Sequence, residues 1–263
     1  MLANYAVLLA LCLGQSEVAA STRSGFASSD NFVVYAPDQE LADEVLKKAE
    51  ELRSKLARAW LGKTILPGVG AAMIHLKLSA TEDSGFTWPK DHPAKKYHSV
   101  TMTSSRDRVL GATLAHELTH VMLAIEFGDR LPRWANEGAA TCQDGEKLRQ
   151  NRSERMQRFA KTNEWPPLLK IFNQQEISSD EPAFYTVANS LTEFLLEREG
   201  PDVFFQFSIA GKETGWEPAA KNSYEFRSLH EMEQAWHDWV QRRYANGPRP
   251  ASQTRTTALT AGQ

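Results

Sequence analysis

Cysteine is almost missing from this chain: there are two in 263 residues, Cys12 and Cys142. A disulfide framework is therefore not what holds the fold, which must rely on its core. Neither sign of charge dominates, since 30 Lys and Arg against 33 Asp and Glu leave a net charge of −3. The most basic stretch, KLRQNRSERMQR at 147–158, is mixed with an acid and reads as a solvated helix face. With no basic stripe, nucleic acid and anionic membrane surfaces are not expected as partners. No apolar run approaches the ~20 residues that cross a bilayer as a helix. No internal repeat is present either. What remains is ordinary globular composition, 41% hydrophobic and 24% charged, enough for one good-sized core or two modest lobes.

The first twenty residues, MLANYAVLLALCLGQSEVAA, carry an apolar run from Tyr5 to Leu13 and then the small residues Ala19 and Ala20. That pattern predicts a secretory signal peptide over 1–20, cleaved after Ala20, and hence a secreted or periplasmic protein with no membrane span after removal. Leu11 precedes Cys12 where a lipoprotein signal would place a small residue. Loss of the signal leaves Cys142 alone, and its apolar setting predicts a small buried residue rather than a nucleophile.

Residues 21–30 (STRSGFASSD) are small and polar and read as a linker. Strands are expected at 31–36, 71–79 and 97–105, with 81–96 as a loop. Pro37-Asp38 opens a helix with Leu41, Val45, Leu46, Ala49, Leu52, Leu56 and Trp60 at helical spacing, and Gly62 ends it. One helix is expected over 106–127, started by Ser104 or Ser105 and stopped by Gly128. LPRW (131–134) reads as extended, and a further helix runs from about 135 into the 150s. The remainder is helical: a turn and short helix at 165–172, a strong helix at 182–199 stopped by Gly200-Pro201, shorter ones at 201–212 and around Trp216, and an amphipathic one at 229–244. The tail 246–263 has no apolar period and is expected to be disordered. The sum is an α+β fold: a mixed α/β lobe with a small sheet over 31–128, then a helical lobe over 129–245.

The chemistry sits in LAHELTHVML (114–123), which places His116 and His120 four apart with Glu117 beside the first. On a helix, positions i and i+4 share a face, so both imidazoles can reach one ion while Glu117 reaches a water without being a ligand. A catalytic zinc site needs three protein ligands and an open position. The best third ligand is Glu137 in PRWANEGAA (132–140), because a reversal at Gly128 returns the chain beside the histidines. A carboxylate on that small, apolar segment would be costly to bury without a metal. Two His and one Glu favour zinc. The competing reading of the motif is an ordinary polar helix face.

HELTH at 116–120 followed by RWANEGAA at 133–140 resembles the gluzincin metallopeptidases, in particular the peptidase MA-like family. FYTVANSLTEFLLEREG (184–200) and SLHEMEQAWHDWV (228–240) are similar to the family's downstream helices, so the resemblance covers roughly 30–244. It implies a zincin-like fold, with His116, His120 and Glu137 as zinc ligands and Glu117 as general base. The chain departs from the thermolysin-like pattern four residues after the ligand Glu, where a carboxylate orients a histidine: Thr141 stands there, and a hydroxyl can accept the same imidazole N–H less strongly.

The function that follows is hydrolysis of peptide bonds by a zinc-activated water, Glu117 moving the proton, on a peptide or protein substrate. Tyr185, at the start of the 182–199 helix, is the candidate donor to the oxyanion, with His230 as the other; Tyr185 could equally be a core or rim aromatic. Strand 97–104 is a candidate edge for an extended peptide. The alternatives are an inactive binding or scaffold protein on the same fold, or a hydrolase of a non-peptide amide.

Overall fold

The computed structural model describes residues 24–89, 97–175 and 181–244. The expected signal peptide and the tail 246–263 lie outside the described residues. The protein is a mixed α+β fold with one five-stranded sheet. β1 (Gly25–Ser28), β2 (Phe32–Ala36), β3 (Ala72–Leu78), β4 (Ser84–Trp88) and β5 (His98–Ser104) lie in the order β1-β2-β3-β5-β4. β2, β3 and β5 run parallel, and β1 and β4 pair antiparallel at the two edges.

Three sequence expectations are corrected here. Residues 25–28, expected within a linker, form edge strand β1, and residues 84–88, expected within a loop, form edge strand β4. The strand at 98–104 is not an edge, since it pairs with β3 on one side and β4 on the other.

Helix α1 (Gln39–Leu61) starts where Asp38 accepts from the Leu41 N–H at 2.8 Å and ends at the left-handed Gly62. It packs under β1 and β2, burying Leu41, Val45, Leu56 and Trp60. The same face of the sheet meets the helix that carries the motif. That helix is not continuous over 106–127: a short α2 (Arg106–Val109) breaks at Leu110-Gly111, and α3 runs from Ala112 to Phe127. Ser105 sits at the N-cap of α2 but makes no capping bond.

α4 (Arg133–Thr141) starts two residues before the expected helix and stops early, so a turn at 142–145 separates it from α5 (Glu146–Thr162). Trp134 is fully buried and packs against Phe172, Phe204, Phe207 and Trp216, which anchors the first turn of α4. These partners come from α6 (Leu168–Asn173), α7 (Pro182–Thr214) and α8 (Trp216–Tyr224). α7 kinks at Gly200, whose φ of 76° is outside the helical region. At Gly138 an added Cβ would lie 2.1 Å from Thr192 Oγ1 and 2.8 Å from the Ala188 carbonyl, so α4 and α7 approach as closely as a glycine permits. α9 (Leu229–Tyr244) closes the helical part through Met232, Trp236 and Val240. Apolar burial runs unbroken from β1 to α9. No helix among the described residues is long and apolar enough to cross a membrane.

Candidate metal centre

α3 and α4 form a helical hairpin that brings His116, His120 and Glu137 together. The two Nε2 atoms are 3.2 Å apart, and Glu137 Oε2 is 3.9 Å from His116 Nε2 and 3.7 Å from His120 Nε2. Tetrahedral zinc with bonds of about 2.0–2.2 Å places its ligand atoms about 3.3 Å apart, so the three atoms are close to the spacing such an ion needs. This is the group among the described residues that could hold a metal ion.

The far side of each imidazole is fixed. His116 Nδ1 is 2.8 Å from Asp144 Oδ1, and His120 Nδ1 is 2.6 Å from Asn136 Oδ1. An oxygen at Nδ1 keeps the proton there, so both Nε2 atoms present lone pairs to the same point. Two facing lone pairs repel unless a cation sits between them. Burial opposes the His116 imidazolium, yet the hydrogen bond and charge of Asp144, then the charges of Glu117 and Glu137, outweigh it and raise the pKa to about 9. For Asp144, burial works against the carboxylate, and contact with His116 and Arg152 overcomes it and holds the group below its ordinary value.

The sequence offers the Thr141 hydroxyl as a weaker substitute for a carboxylate that orients a histidine. The structure corrects this: Thr141 Oγ1 donates to the Gly138 carbonyl at 2.9 Å, and Asp144, in the turn that ends α4, takes the imidazole. Thr141 does stand one turn after Glu137 within α4, but its hydroxyl is engaged by the Gly138 carbonyl.

Glu117 is 4% exposed and lies under edge strand β4. Its Oε2 accepts from Thr87 Oγ1 at 2.7 Å. An added Cβ at Gly85 would stand 2.2 Å from Glu117 Oε1, so β4 crosses the carboxylate at a distance only glycine allows. Gly85 and Thr87 point to the site, whereas Phe86 and Trp88, 57% and 64% exposed, point away. Neither Gly85 nor Thr87 is distinguishable in the sequence, because both act across 30 or so residues of chain.

Tyr185 is half-buried and feels the charges of both Glu137 and Glu117. Burial first, then Glu137, raises its phenol pKa, while Arg133 donates to the hydroxyl and opposes the rise. Arg133 Nη2 is also 3.4 Å from Glu137 Oε1, so this half-exposed guanidinium links the two. Arg133 lies one turn before Glu137 and is missing from the sequence-derived site, although i,i+4 arithmetic would place it there. His230 does not join the site: it is exposed on α9, with His237 as its electrostatic neighbour. His75 stacks on Tyr35 and His237 on Trp165, as side chains without a ligand role. The centre of 147–158 is not wholly a solvated face, because Arg152 is buried and bonds to Asp144.

Neither a scan of protein-family models nor a search of curated proteins finds a match to this chain.

Proposed function

We propose that the protein is an exported zinc-dependent peptidase of the gluzincin type, on a zincin-like fold. The observation that carries the reading is the convergence of His116 Nε2, His120 Nε2 and Glu137 Oε2 with both Nδ1 atoms already engaged. A zinc ion held by these three residues supplies Lewis-acid chemistry, activating water and polarising an acyl carbonyl. Glu117, held by Thr87, takes the proton of the attacking water and returns it to the leaving amine. Tyr185, steadied by Arg133, donates to the negative charge that develops on the carbonyl oxygen. An extended peptide adds along the outer edge of β4, which passes over Glu117 and has no further strand beside it among the described residues. Export rests on the pattern of residues 1–20. The alternative is an inactive scaffold on the same fold; the Asp144 carboxylate behind His116 supports the enzyme reading over it.

The test is zinc content of the purified protein by mass spectrometry, followed by hydrolysis of a peptide library. About one zinc per chain is expected in the parent and none in His116→Ala. Glu117→Gln is expected to keep its zinc and lose hydrolysis. A folded parent that takes up no supplied zinc would sink the peptidase reading.

A further inference from the structure

α5 is a strongly polar helix, and its two buried residues are Met156 and Arg152. A buried guanidinium is costly unless its charge and N–H groups are met. Arg152 is 8% exposed; its charge is met on the site side, where Nη1 donates to Asp144 Oδ2 at 2.7 Å and Nη2 donates to the Thr141 carbonyl at 3.1 Å, while its buried Nε–H has no partner among the described residues. The other oxygen of the same carboxylate, Oδ1, takes His116 Nδ1. Arg152 therefore grips both the Asp144 side chain and the end of α4 that precedes it. Beyond it the charges continue to alternate. Glu193 is partly buried on α7, where the charge of Arg152 favours its carboxylate, and Arg243 on α9 bonds to Glu193 at 3.1 Å and to Glu197 at 2.8 Å.

We propose that Arg152 is a positioning residue for the metal site, setting the orientation of His116 through Asp144. The inference rests on the zinc reading of the site. Asp144 sits in a turn, where its side chain has rotamer freedom that no helix face restricts. With Oδ2 pinned by Arg152, Oδ1 has one place to go, and the imidazole it holds aims Nε2 at His120 and Glu137. Without that grip Asp144 can rotate, His116 loses its fixed tautomer, and the ion loses a preformed ligand. A merely structural Arg152 would stabilise the fold and leave zinc affinity alone.

The experiment is zinc affinity of the full chain, by competition with a chromophoric chelator, for the parent, Arg152→Gln, Arg152→Lys, Asp144→Asn and the double variant Arg152→Gln/Asp144→Asn. Thermal melts of the zinc-free proteins show which variants fold. Arg152→Gln is expected to weaken zinc about tenfold, within the range seen for residues behind metal ligands. In the Asp144→Asn background the same change is expected to add less than about threefold, because its route to His116 is already cut. If Arg152→Gln does not fold, Arg152→Lys carries the test: it keeps the charge but cannot hold both Asp144 and Thr141, and is expected to bind zinc several-fold more weakly than the parent. A parent that binds zinc while both Arg152 variants match it would overturn this inference alone. An equal loss with and without Asp144 would overturn it as well. A parent that binds no zinc overturns the metal reading and this inference with it.

Discussion

Gly85→Ala isolates the contact between β4 and the carboxylate of Glu117. The new Cβ would lie 2.2 Å from Oε1, 2.7 Å from Cδ and 2.9 Å from Cγ, so the carboxylate must swing away and give up its 2.7 Å bond from Thr87. Overpacking of this kind costs about 1–3 kcal/mol. Against it stands a gain of about 0.5 kcal/mol, because alanine in a strand has less freedom to lose on folding than glycine. The net expectation is a loss of about 0.5–2.5 kcal/mol, a fall of roughly 1–10 °C in Tm for a chain of this size. In a Glu117→Ala background the obstructing atoms are gone and the same Gly85→Ala change is expected to be neutral or slightly stabilising. Denaturant unfolding of the four zinc-free proteins gives the coupling, expected at about 2 kcal/mol. Additivity within about 0.5 kcal/mol would refute the claim that β4 and Glu117 are in contact. The cycle needs neither metal nor substrate, so it tests the geometry apart from the function.

Two further predictions concern titration and reactivity. In the metal-free protein the His116 pKa is raised from its ordinary 6.5 to about 9. Its contribution to stability is therefore fully present below about pH 6.5 and is lost as pH rises through about 9; an NMR titration with a midpoint near 6.5 would contradict the arrangement around Asp144. Burial, reinforced by the charge of Glu193 and opposed by Arg152, pushes the Cys142 thiol above its ordinary range, and its Sγ is 3.3 Å from the Gly138 carbonyl. Alkylation at Cys142, followed by peptide mass spectrometry at pH 8, is expected to be slow in the native protein and fast in denaturant; equal rates would place the thiol in solvent.

What the sequence makes legible follows from how each element is held. β2, β3 and β5 are interior strands with one buried face, and α1 has both a helical apolar period and its caps at Asp38 and Gly62. These elements are read with nearly correct ends. β1 and β4 are edge strands, held by pairing on one side, and their exposed positions carry Phe26, Phe86 and Trp88 while small residues such as Gly25, Ala27 and Gly85 face inward, so hydropathy does not report their buried face. The break at Gly111 is invisible because the apolar period continues across it. At the site, His116 and His120 are readable as an i,i+4 pair, and Glu137 needs only a helix reversal. Asp144 is not readable, since its place depends on α4 ending at Thr141. Thr87, Gly85 and Arg152 act through tertiary contact and leave no spacing signal. Asn136 and Arg133 flank Glu137 and were within reach of helical arithmetic.

The locality of the centre has a consequence for folding order. Every group that would grip or orient the ion lies between His116 and Arg152, on two helices, a turn and the start of a third. Bringing those groups together closes only short loops, so the entropy lost is small and such contacts form early. β4 and Tyr185 reach the same place from far along the chain and arrive late. An ion captured by the α3–α4 hairpin would therefore act as a nucleus onto which β4 and Tyr185 are later laid.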